Sequence, residues 1–187
     1  MTIVLIIIVV IILVAVLLFI VGFNKLRKAD ISAQEALGGI DVQLTRRADL
    51  IPNLVETVKG YASHEKTVFE NITAARARVT EAARSGTVEE KAAAEAAMDA
   101  SLVNVMAVAE NYPDLKASTN FLDLQAQLAD TENQLAFARQ YYNDAVSTLN
   151  KSVATMPWMF FAGPAGVSAR TFYQAPAGQT GPPSVSF

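Results

Sequence analysis

The side chains that could do chemistry in this chain are few, and they fall into two small groups. His64 is the only histidine and cysteine is absent, so thiolate metal sites, disulfides and sites needing two imidazoles from one chain cannot be built. A histidine-dependent triad would have to use His64, which has no acid or serine partner placed by spacing. No glycine-rich phosphate loop and no serine in a nucleophile elbow occurs. What remains is Arg46, Arg47, Asp49 and Asn53 in one group, and Glu132, Arg139 and Asn143 in the other. Glu132 and Arg139 are seven apart, two turns of one helix face, with Asn143 a further turn on. Opposite charges at such a spacing set the register of packed helices or present a contact surface to a partner. Neither group has the make-up of a catalytic site, so the expectation is a protein that is not an enzyme and has no cofactor or metal.

The elements that must position these groups are helices. From Asn24 to about Val153 apolar residues recur at three and four with few breakers. Leu37, Leu44, Ile51 and Val58 repeat every seven, flanked by Ala33, Ile40, Leu54 and Tyr61, with Arg47 interrupting the second row. Pro52 falls inside this pattern and predicts a kink or a boundary near residues 49 to 51. Gly60 and Ser63-His64 predict the next break. A second helix carries Val68, Ile72, Ala75 and Val79 and stops at Gly86, placed as its C-terminal cap. Thr87-Val88-Glu89-Glu90 opens a third helix with a capping-box order, and Pro113 ends it. Phe121, Leu128, Leu135, Tyr142, Leu149 and Met156 define a fourth, with small residues beside them. Long helices with short connections predict an antiparallel up-down-up-down four-helix bundle over residues 25 to 155.

Before that bundle, the first 23 residues hold no ionisable side chain and run apolar from Ile3 to Val21. Roughly 20 residues at about 1.5 Å each span the ~30 Å hydrocarbon core, which predicts a transmembrane anchor over residues 1 to 24. A cleaved signal peptide needs a charged n-region and a small-residue cleavage site, and neither is present. Lys25, Arg27 and Lys28 follow at once and predict a single pass with the N-terminus outside and the bundle in the cytoplasm. The net charge of -3 and pI of about 5.2 weigh against nucleic acid as a partner.

After Thr155 the composition turns to proline, glycine and aromatics, so residues 156 to 187 read as an irregular apolar tail and not a helix. The fourth helix, counted through the bundle, returns towards the bilayer. It delivers Trp158, Phe160 and Phe161 near the membrane, and with Lys25, Arg27 and Lys28 these are candidate membrane-interface residues. The same aromatics could instead close the bundle or meet a neighbouring protomer.

Several runs resemble one family. Ile40-Asp41-Val42-Gln43-Leu44, Arg47-Ala48-Asp49-Leu50-Ile51-Pro52-Asn53-Leu54-Val55 and Thr57-Val58-Lys59-Gly60-Tyr61-Ala62 are similar to the LemA family of bacterial membrane proteins. The likeness resumes at Tyr112-Pro113-Asp114-Leu115-Lys116-Ala117, Asn120-Phe121, Thr131-Glu132-Asn133, Arg139 and Tyr142-Asn143. The tail departs from it at Ala165-Gly166-Val167 and Thr171-Phe172-Tyr173. The resemblance implies one N-terminal anchor in the bacterial inner membrane, a cytoplasmic long-helix bundle and no established enzymatic activity. The expected partners are the lipid bilayer, further copies of the chain as a homo-oligomeric scaffold, and other membrane proteins. The alternative is a monomeric adaptor or regulatory subunit of a membrane complex such as a protease or stress sensor.

Overall fold

The computed structural model describes residues 1 to 174. Among them every regular element is helical: α1 (Thr2–Lys59), α2 (Lys66–Ser85), α3 (Val88–Glu110), α4 (Pro113–Lys116), α5 (Thr119–Ala154), a 3-10 turn (Trp158–Phe161) and α6 (Ala162–Ala165). They belong to two compact units, one of residues 1 to 36 with 141 to 172, the other of residues 37 to 140 with Tyr173 and Gln174.

Pro52 does not break α1, which runs on to Lys59. Proline lacks the N–H that would bond the carbonyl four residues back, and that carbonyl belongs to Ala48. Arg76 of α2 supplies the missing donor, Nε to Ala48 O at 3.0 Å. A tertiary hydrogen bond thus replaces the one proline removes, and the expected boundary at residues 49 to 51 is absent. The break at Gly60 to His64 is where the spacing places it, and His64 is exposed.

Gly86 follows α2 as its cap, with φ −72° and not the left-handed geometry usual for a glycine cap. Its requirement is steric: a Cβ would sit 2.7 Å from Ala82 O and 2.9 Å from Ala82 Cα, both backbone. The tight corner leads straight into α3, where Thr87 and Glu90 form the expected capping box, Glu90 N to Thr87 Oγ1 at 3.2 Å and Thr87 N to Glu90 Oε2 at 2.7 Å. Two orphan amides of the helix start are satisfied reciprocally. The second cap of the corner was not legible in the sequence. Lys91, 3% exposed, donates Nζ to Ala82 O at 2.9 Å and Ala83 O at 3.1 Å, closing the last turn of α2, and pairs with Asp41 at 2.5 Å.

The larger unit buries Ile40, Leu44, Ile51, Leu54 and Val58 from α1, Ile72 and Val79 from α2, Met98, Leu102 and Val105 from α3, and Phe121, Leu128 and Leu135 from α5. The stripes end where the helices end. Tyr61 and Met156 continue the sevenfold spacing past Lys59 and Ala154, and are 46% and 73% exposed. In the other unit Leu26, Ala33, Tyr142, Val146 and Leu149 are buried.

The segment after Thr155 is more ordered than its composition suggests. It holds the 3-10 turn and α6 before a stretch without regular secondary structure. Asn150 clamps that stretch from both sides, Nδ2 to Arg170 O and Arg170 N to Oδ1, each 2.9 Å. Tyr142 donates to Thr171 O at 2.9 Å, and Arg170 Nε reaches Asp30 Oδ1 at 2.8 Å. The tail reading for residues 175 to 187 lies outside the described residues.

By length and apolarity α1 could cross a membrane, and none of its most apolar window is buried. The helix α3 passes the same test. It carries Lys91, Glu95 and Asp99 within that length and packs a stripe of its surface from Lys91 to Ala109, so it reads as a core helix.

Candidate functional site

The larger unit contains a continuous chain of charges drawn from three helices and the stretch after α6. Arg47 of α1 places Nη1 2.6 Å from Asp99 Oδ1 of α3 and 2.9 Å from Glu132 Oε2 of α5. Glu132 Oε1 accepts from Arg139 Nη2 at 3.0 Å, one helix face two turns on. Arg139 Nη1 then donates to Glu95 Oε1 at 2.7 Å, and Tyr173 donates its hydroxyl to Glu95 Oε2 at 2.6 Å. Glu95 is 0% exposed, so both its oxygens are matched where water does not reach.

These side chains are buried because of where they fall along their helices. Lys91, Ala94, Glu95, Met98, Leu102, Val105 and Ala109 form the packed stripe of α3. Two charged residues occupy that stripe, so folding α3 forces them inward and a partner must come from elsewhere. Glu95 finds Arg139 of α5, 44 residues away, and Lys91 finds Asp41 of α1, 50 away.

The chain counts three carboxylates against two guanidiniums, and burial opposes that excess by favouring the neutral acids. Burial pushes the Glu95 carboxyl above the usual range; the Tyr173 hydroxyl and Arg139 pull it back, while Asp99 and Glu132 push it up. Asp99 is raised for the same first reason, with Arg47 opposing. Asp41 is also raised by burial, against the pull of Lys91. Burial and then the charge of Glu95 hold the Tyr173 phenol well above its ordinary value, so it remains a donor. The Arg47 and Asp99 charges meet without good hydrogen-bond alignment: among the described residues, Arg47 Nε and Nη1 and both Asp99 oxygens are buried with no aligned hydrogen-bond partner. Their 2.6 Å approach is thus a charge contact. This end of the chain borders an open groove of about 410 Å³ with Leu102, Val103, Met106 and Leu128.

Of the residues singled out by spacing, the structure joins Arg47, Glu132 and Arg139. Arg46 points outward and pairs with Asp130 at 3.4 Å with both side chains half exposed, an arrangement that contributes little. Asp49 and Asn53 are exposed and stand apart from the chain of charges. Asn143 is half-buried in the other unit. The expected cluster of Arg46, Arg47, Asp49 and Asn53 therefore does not form: Arg46, Asp49 and Asn53 fall on the exposed side of α1, whereas Arg47 falls on its packed side. Glu95, Asp99 and Tyr173 escaped the spacing argument, although acids on the packed phase of α3 were a readable signal.

The candidate membrane-interface residues divide in the same way. Lys25 stands over the Trp158 ring, 4.0 Å from its centroid, and the Phe161 ring packs edge-on to Phe19 at 5.9 Å. Arg27, Lys28 and Phe160 are exposed.

Comparison with known proteins agrees with the runs of residues noted above. The chain is 24% identical over 182 residues to magnetosome protein MamQ 2 and, equally, MamQ 1 of Paramagnetospirillum magneticum, covering 84% of this chain and 67% of each relative. It is 24% identical over 172 residues to magnetosome protein MamQ of Magnetospirillum gryphiswaldense, covering 79% and 63%. The chain thus spans about two thirds of the length of these relatives. The LemA family model matches residues 36 to 187, which takes in the charge chain and its supporting helices. This protein belongs to the LemA family.

Proposed function

We propose that this protein is a single-pass protein of the bacterial inner membrane. Its N-terminus lies outside, and residues 25 to 155 form an antiparallel up-down-up-down four-helix bundle in the cytoplasm. It acts through protein contacts, as a self-assembling scaffold and not as an enzyme. The observation that carries the reading is the start of α1: every large apolar side chain from Ile3 to Val21 is 45–72% exposed on an uninterrupted helix. Lipid is the natural solvent for such a surface. Lys25, Arg27 and Lys28 at its end support the orientation.

The charge chain supports a structural role for Arg47, Glu95, Glu132 and Arg139. Each is engaged with another member, and buried networks of this kind fix helix register. Contact surface is available elsewhere, on the exposed Val42, Val103, Leu122 and Phe137. The magnetosome association in the relatives' name is not carried over at this level of identity.

Light scattering coupled to size exclusion, on the full chain in mild detergent, tests the self-assembly. The protein mass corrected for detergent should be two or more times the 20.1 kDa protomer. A particle holding one protomer overturns the scaffold reading and favours a monomeric adaptor for another membrane protein.

A further inference from the structure

The turn after α5 carries an apolar surface that the charge chain does not use. Met156 is 73% exposed, Met159 43% and Phe160 66%, three large apolar side chains within five residues. Exposed patches of this kind mark a contact. What covers this one is indicated by the helix beneath it.

The turn is docked on α1 by two aromatic rings. Phe161 lies against Phe19 and over Gly22, where an added Cβ would overlap the ring, so the close approach needs glycine. Trp158 turns its face to the Lys25 ammonium, a cation–π contact. Phe19 and Gly22 belong to the last turn of the uncharged stretch, and Lys25 is the first cation after it. From Phe19 to Lys25 α1 rises about 9 Å. Interfacial segments bury their apolar face about 5–10 Å into the boundary between headgroups and acyl chains. The exposed side chains of the turn therefore sit beside the stretch of α1 where the hydrocarbon would give way to headgroups.

We infer that residues 156 to 161 form a second, interfacial membrane contact, in which Met156, Met159 and Phe160 enter the leaflet where the apolar run of α1 ends and Trp158 stacks with Lys25 among the headgroups. The inference rests on the reading of α1 as a transmembrane helix. A bilayer that solvates Ile3 to Val21 is already present beside this turn, whereas a second copy would have to displace it. Lys25, Arg27 and Lys28 add charge complementarity to anionic headgroups. The contact closes α5 onto the same bilayer that holds α1.

Trp158 is the only tryptophan, which allows a reporter to be moved. In the full chain carrying Trp158→Phe, Phe160→Trp places it on the exposed side of the turn, and Leu13→Trp, in a separate protein, places it mid-anchor. Both are reconstituted into phosphatidylcholine and phosphatidylglycerol vesicles containing lipids brominated either high in the acyl chain or near its terminal methyl. The Phe160→Trp emission should be quenched most by the high position, and the Leu13→Trp emission most by the deep one. Emission from Phe160→Trp that is unaffected by either bromolipid, as expected if a second copy or the protein's own helices cover the turn, overturns the interfacial contact. Strongest quenching of that reporter by the deep position overturns it as well. Failure of Leu13→Trp to be quenched refutes the transmembrane reading itself, so the two failures are told apart.

Discussion

Arg139→Leu is expected to destabilise the larger unit by about 3–5 kcal/mol, because it removes the cation that pairs with the buried Glu95 carboxylate. Against the ~5–15 kcal/mol of a typical domain this is a large fraction of the total. Glu132 should suffer less, since its side chain is 29% exposed and also approaches Arg47. Adding Glu95→Leu to Arg139→Leu should restore much of the loss, as two apolar side chains replace the pair and no buried charge is left alone. The measurement is thermal and denaturant unfolding of the two singles and the double, followed by helical circular dichroism in detergent. A double mutant as unstable as the sum of its singles would show that the pair is not coupled.

The same pair makes a pH prediction with a definite sign. Burial raises Glu95, Asp99 and Asp41, so between the ordinary and raised values the folded protein holds protons that the unfolded chain has released. Stability contributed by these groups is therefore greater at the acid end of that window and falls as pH rises through it, the reverse of the usual salt-bridged carboxylate. Glu95→Gln should flatten the dependence of the melting temperature on pH across the window. An unchanged slope would exclude Glu95 as a source.

Leu135→Ala is expected to cost about 2–5 kcal/mol, through lost burial and the cavity left in a side chain's place. Leu135 is 0% exposed and lies midway along the sevenfold row of Phe121, Leu128, Tyr142 and Leu149. Leu135→Asp should be worse, since the new carboxylate has no placed partner and must be buried or force the helix outward. Melting temperatures of both variants within the scatter of the parent would mean that α5 does not use this face as its core.

These predictions draw on both what periodicity makes legible and what it does not. The packed phase of α5 can be read directly from the row containing Leu135, and the corner at Gly86-Thr87 from the order of small, hydroxyl and acidic residues, because both depend on neighbours within one or two turns. Pro52 misleads for the opposite reason. Its effect on α1 depends on Arg76, which no local pattern connects to Ala48. The charge chain is intermediate: Glu132 and Arg139 share a helix face and can be paired by spacing, whereas Glu95 reaches Arg139, and Tyr173 reaches Glu95, only through the tertiary fold. Charge neighbours adjacent in sequence, such as Arg46 and Arg47, separate once the helix turns.

Membrane orientation is the claim on which the proposed function most depends, and protease protection of right-side-out vesicles tests it directly. With the N-terminus outside and the helices after Lys28 in the cytoplasm, protease added to the outside should leave residues 30 to 150 intact until the membrane is opened with detergent. Digestion of that region in sealed vesicles would contradict the account.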